Sequence, residues 1–277
     1  MLSLMDEALI AAMNAARVGA AELLAGYEES LLLRYNGPSP AETDYERKAE
    51  LSIRKIISDA FPEHPIYTKG SEPPSEEQKG PWWYVDSLDG AFNYLRNSPF
   101  FSLSIGFFGH DAKGILRPMI GVILAPVLME MFWATYGGGA FHCQQVPGIG
   151  LTEGPIYVSD AGITHRAVVK TGFRPDLEAE RLKFKNQVRQ MQDEVAAIGL
   201  ECSASLTMAY VAAGRVEGYF ESGLNPWSAA AGTLVVSEAG GKVSSQNGRP
   251  FQLEERGDIL VSNRLLHDKF VEILTGV

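Results

Sequence analysis

The chain predicts a layered α+β to α/β sandwich, with an antiparallel sheet and helices in its first half and an α/β layer in its second. Three observations carry this expectation. Apolar runs at Phe101 to Phe108, Met119 to Leu124 and Met129 to Trp133 are separated by Gly109-His110-Asp111, Gly114 and Ala125-Pro126, as in successive antiparallel strands. From about Thr152 strand-like and helix-like segments alternate. Between the early helical segments and these strands, the run Trp82-Trp83-Tyr84-Val85 stops at Asp86 and Asp89, followed by Gly90-Ala91.

The elements follow in order. Leu4, Ala8, Ala11, Ala15, Val18 and Leu23 recur at helical spacing, predicting an amphipathic first helix to about Tyr27. A second helix is expected after Pro40, with Thr43 as cap and Glu46 three residues on, running through Ile56-Ile57. Gly137-Gly138-Gly139 lacks the Lys-Ser/Thr of a phosphate loop and reads as a turn between strands. Later come a strand at Ala167 to Gly172, a helix at Glu178 to Met191 and a strand at Glu194 to Ile198. A small-residue helix at Ser203 to Gly214 and a strand at Gly218 to Glu221 precede a helix started by Pro226 and ended by Gly240-Gly241.

With 277 residues, 45% of them hydrophobic, the chain has enough material for a large core. A formal net charge of -10 and the lack of a dense basic run beyond Arg181 to Lys185 argue against nucleic acid as a partner. No run approaches the roughly 18 apolar residues of a membrane span, so no membrane partner is expected. Cys143 and Cys202 have no metal-ligand spacing and read as reduced thiols, in keeping with a cytoplasmic location. The five histidines form no metal spacing, and no Gly-x-Ser-x-Gly elbow occurs.

Asp86 and Asp89 are the main chemical signal. Two acids at the end of a buried strand repel each other and lose hydration, so a cation or strong donors must stand between them. Gly90-Ala91 then offers backbone N–H groups to an anion. The alternative is an Asx turn that ends the strand.

Asp86-Ser87-Leu88-Asp89-Gly90-Ala91 resembles the Asp-Pro-Ile/Leu-Asp-Gly-Thr signature of the inositol monophosphatase family. Phe61-Pro62-Glu63-His64, Pro226-Trp227-Ser228 and Glu238-Ala239-Gly240-Gly241 extend the resemblance over nearly the whole chain. It implies an αβαβα sandwich of the inositol monophosphatase and fructose-1,6-bisphosphatase type. One unit over 1–277 is expected, with lobes of about 1–150 and 151–277. It also implies a magnesium-dependent hydrolase of a small phosphorylated polyol or sugar, and a homodimer.

The resemblance assigns metal binding to Asp86, the Leu88 carbonyl and Asp89, and phosphate binding to Gly90 and Ala91. It assigns positioning of the attacking water to Glu46, and substrate contacts to Ser203, Ala204 and Glu221. Cys202 stands where the family has Gly and is expected to narrow the pocket. The family's loop Glu falls on Lys69, its Asp after the Trp on Ser228, and its motif Thr on Ala91. Four carboxylates neutralise two divalent ions, so this site is expected to hold one magnesium weakly and to hydrolyse poorly. Glu72, or less plausibly Glu76, could replace the missing acid, or Lys69 could pair with Asp86 or Asp89. A non-hydrolysing binding protein and an enzyme of other chemistry remain alternatives.

Overall fold

The computed structural model describes residues 3–27, 44–72, 74, 78, 80–172, 181–253 and 256–276. Helix α1 (Leu4–Tyr27) buries an alanine-rich face, Ala8, Ala11, Ala12, Ala15, Ala16 and Ala20, which lets α2 (Asp44–Ala60) and the first sheet approach closely. By length and composition α1 could cross a membrane, contrary to the sequence expectation: alanines between its scattered charges keep its average apolar. The fold instead uses that face as core. Thr43, the expected cap of α2, lies outside the described residues, as do the expected helix start Glu178 and the loop acid Glu76.

The first sheet has seven strands in sequence order. They are β1 (Ile66–Tyr67), β2 (Trp82–Asp89), β3 (Ser102–His110), β4 (Leu116–Ala125), β5 (Glu130–Thr135), β6 (Gly139–Val146) and β7 (Gly150–Pro155). Only the β1 to β2 pairing is parallel, and the rest form a meander. The triple glycine is the turn between β5 and β6, as expected. Its Gly137 and Gly139 N–H groups donate to the Glu238 carboxylate at 2.8 and 3.0 Å.

The second sheet has the order β11-β12-β10-β8-β9. Its strands are β8 (Val168–Thr171), β9 (Ala197–Leu200), β10 (Gly218–Leu224), β11 (Lys242–Ser245) and β12 (Gly257–Ser262). Helices α5 (Ala204–Ala212) and α6 (Pro226–Glu238) fill the space between the sheets, while α4 (Arg181–Glu194) and α7 (His267–Thr275) cover the far face. The layers therefore run α1/α2, sheet, α5/α6, sheet, α4/α7, an αβαβα sandwich.

Glycines make the central layer possible. A Cβ at Gly106 would lie 2.9 Å from the Ala230 methyl, and one at Gly121 would lie 2.7 Å from the Ala231 carbonyl oxygen. These bare spots on β3 and β4 let α6 sink onto the first sheet. That descent brings the start of α6, with Trp227 and Ser228, to the end of β2.

Candidate active site

Side chains alternate between faces along a strand, so residues 86 and 89 of a regular β2 would point to opposite sides. A register shift against β3 lies between Asp86 and Asp89. This irregularity re-aims one side chain, and both carboxylates line one pocket of about 370 Å³ while remaining 7% and 8% exposed. Leu88, Gly90, Ala91, Ala204, Glu221 and Ser228 line the same pocket. Gly90 has φ 98°, and a Cβ there would press on Phe101 and the Cys202 carbonyl, so only glycine turns the chain here without strain. The helix it opens, α3 (Ala91–Tyr94), is a single turn.

The two acids are held differently. Ser203 and Ser205 hydroxyls donate to Asp89 Oδ2 at 2.8 and 2.6 Å, and the Ser205 N–H donates at 2.7 Å. Asp89 thus caps the first turn of α5 from another part of the chain. Ser102 on β3 ties the two serines together at 3.1 and 2.9 Å. Ser203, expected at the substrate wall, is fully buried and serves Asp89 instead. As the residue entering α5, its side chain turns inward toward the nearest buried acceptor.

Asp86 has the Ser228 hydroxyl as donor, at 2.5 Å. Burial and the neighbouring Asp89 carboxylate push Asp86 up to about 7, against the Ser228 bond. Asp89 is raised too, chiefly by burial, with its serine donors opposing the shift.

The Lys69 ammonium donates to Glu46 Oε1 at 3.0 Å. The expected direct pairing with Asp86 or Asp89 is therefore corrected. The nearest acid to the turn after β1 is Glu46, 2% exposed on α2, while Lys69 acts on Asp86 through its field. Glu46 sits behind Lys69 rather than among the pocket-lining residues. Glu72 is exposed and likewise absent from the lining, so it does not fill the gap left by Lys69. Glu221 on β10 accepts a very short hydrogen bond from the Tyr219 hydroxyl, and Gly172 leaves the space its carboxylate needs. Cys202 borders the pocket as expected, its thiol pushed up by burial and by Glu221.

Sequence reading missed Ser102, Ser205, Tyr219, Asn225 and Arg256. Ser205, the second residue of α5, acts on an acid 116 positions away, and Arg256 stands in a loop with no motif around it.

The family model described as "Inositol monophosphatase family" matches residues 4–276. The chain belongs to the inositol monophosphatase family. Among relatives, "Nus factor SuhB" of Escherichia coli K12 is 34% identical over 239 residues, covering 86% of this chain and 84% of that protein. An "Inositol-1-monophosphatase" of Synechocystis is 31% identical, covering 84% and 76%. The crystal structure of extragenic suppressor protein suhB from Bartonella henselae superposes with a TM-score of 0.83 at 29% identity, covering 96% of this chain and 98% of that one. Inositol monophosphatase family members similar to this chain thus carry names of two kinds, one enzymatic and one not.

Proposed function

We propose that this family member binds a small phosphorylated polyol or sugar in the pocket at the end of β2, and that magnesium-dependent hydrolysis of the ester is strongly weakened. One observation carries the reading: both residues standing where metal ligands are expected are donors satisfied on remaining acids, Lys69 on Glu46 and Ser228 on Asp86. An ammonium repels a cation. A hydroxyl is a far weaker magnesium ligand than a carboxylate.

The residues present do not fit a two-magnesium centre. Each ion wants near-octahedral oxygen coordination. Among the described residues no group of three or more His, Cys, Asp or Glu is arranged to hold a metal ion. Asp86, Asp89 and the Leu88 carbonyl leave a donor set for one weakly held ion. What the chain's own groups do is bind and orient: Glu221, fixed by Tyr219, accepts ligand hydroxyls, Ala204 and Cys202 form the wall, and Gly90 and Ala91 face the phosphate. Two free thiols fit a cytoplasmic protein, and a homodimer is part of the reading by family resemblance. The net acidic charge favours a small ligand over nucleic acid.

Magnesium-dependent phosphate release from a panel of polyol and sugar phosphates tests the proposal. Wild type should turn over orders of magnitude more slowly than Lys69→Glu/Ser228→Asp, which restores four carboxylates. Wild-type turnover equal to that of the repaired protein would defeat it. A second reading, a family member kept for a role other than hydrolysis, is favoured by the relatives named Nus factor; it expects no release from any panel member.

A further inference from the structure

We propose that Ser102, Ser203 and Ser205 form a buried hydroxyl cage that takes up Asp89 in place of a cation, so that these serines set the low affinity of the site for a divalent ion; the inference rests on the weakened-hydrolysis reading above. The cage is assembled from both halves of the chain. Ser102 opens β3 and stands in register opposite Asp89, the last residue of β2. Ser203 enters α5, and Ser205 is the second residue of that helix. All three serines are fully buried. The Ser203 hydroxyl, the Ser205 hydroxyl and the Ser205 N–H converge on one oxygen, Asp89 Oδ2, at 2.8, 2.6 and 2.7 Å.

Ser102 matters although it makes no bond to Asp89. Its Oγ lies 3.1 and 2.9 Å from the Ser203 and Ser205 hydroxyls. A hydroxyl carries a single proton, so a serine oxygen that accepts from Ser102 has its own proton left for Asp89. Ser102 is thus a positioning residue that acts through the other two. These neutral donors leave the charge of Asp89 in place; what they occupy is the lone pairs of one of its oxygens. A metal ion then finds at most Oδ1, whereas a carboxylate that chelates one ion or bridges two uses both oxygens. Entry of an ion at Oδ2 would break charge-assisted hydrogen bonds whose hydroxyls are shielded from bulk water, and that costs more than breaking them at a surface.

Titration of the full chain with manganese, which shares magnesium's preference for oxygen ligands, tests the cage, with electron paramagnetic resonance counting the ion left free. Ser205→Ala should bind manganese about tenfold tighter than wild type, the value of one hydrogen bond to a charged group. Ser102→Ala should shift the affinity in the same direction by less. Ser205→Cys, close to serine in size but a weaker donor, should fall between wild type and Ser205→Ala, and it keeps the test open where alanine costs too much stability. Adding Asp89→Asn to Ser205→Ala should remove the gain. Manganese binding in the Ser205 variants that is equal to wild type, or weaker, overturns the cage alone; weaker binding is the mark of serines that orient Asp89 as a ligand. Wild type that holds two manganese ions tightly overturns the weakened-hydrolysis reading as well.

Discussion

Two carboxylates of the first sheet, Glu130 at the start of β5 and Asp86 on β2, are 3% and 7% exposed, yet their environments act on them in opposite ways. Burial raises both. At Glu130 that effect is overcome: His142 lies at 3.2 Å, the Tyr210 hydroxyl at 3.0 Å, and Arg215 grips both oxygens at 3.0 and 2.5 Å. These partners hold Glu130 at about 2. At Asp86 one hydroxyl faces burial and a like charge, and the group rises to about 7. The difference separates a carboxylate that serves stability from one whose charge the fold leaves poorly compensated. The second kind marks a functional site more often than the first.

The comparison can be pushed hardest at the site. If Asp86 is under-compensated because its cations were replaced, Lys69→Glu/Ser228→Asp should raise magnesium-dependent phosphate release by orders of magnitude, each single change doing less because ligands of one site act as a unit. An unchanged rate in the folded double variant would shift the block to Ala91, Glu46 or the reshaped pocket.

At Glu130 the expected effect is on folding. Arg215→Met leaves a buried carboxylate without its cation and should cost about 3 kcal/mol in denaturant titrations at neutral pH. Glu130 is held below its unfolded value, so its contribution is present above the ordinary carboxylate range and is lost as pH falls towards 2. The gap between wild type and Arg215→Met should therefore narrow in acid. A gap that widens there contradicts the assigned role.

Asp86 should behave in the reverse sense. Its folded value lies above its unfolded one, so its ionisation opposes folding increasingly as pH rises from about 4 to about 7. Asp86→Asn should melt near wild type at pH 4 and higher than wild type at pH 8, measured without metal. A lower melting temperature at pH 8 would mean that the Ser228 bond needs the carboxylate more than burial disfavours it.

The smallest effect is that of magnesium itself. Calorimetry should find at most one tight site, accompanied by a small rise in melting temperature that Asp89→Asn removes. Two tight sites in wild type would overturn the one-ion reading.

Local sequence was a good guide where one segment's pattern decides its structure. The β2 run ending in acids and the Pro226 start of α6 are each written in adjacent residues and form as the sequence implies. Helix α1 forms too and buries Ala8, Ala11, Ala15 and Leu23, but Leu4 and Val18 of the expected face are exposed because the neighbouring small residues Ala12, Ala16 and Ala20 make the close contact instead. β6 and β7 escaped because their residues, His142 to Gln145 and Leu151 to Glu153, are half-buried or exposed and lack the apolar alternation that marks a strand. The Lys69 partner was misplaced for a different reason: Glu46 and Lys69 meet only because α2 packs against β2, which no spacing encodes.

By itself the sequence determined the layered fold, the family, and that Lys69 and Ser228 stand where the family resemblance expects acids, since these depend on residue identity and order. The tertiary structure alone decided how Asp86 and Asp89 face one pocket, which serines hold Asp89, and that Lys69 pairs with Glu46. Those outcomes depend on a shift in strand register and on contacts between residues up to 142 positions apart, as between Asp86 and Ser228. Burial, donor geometry and like-charge proximity exist only once the layers have closed.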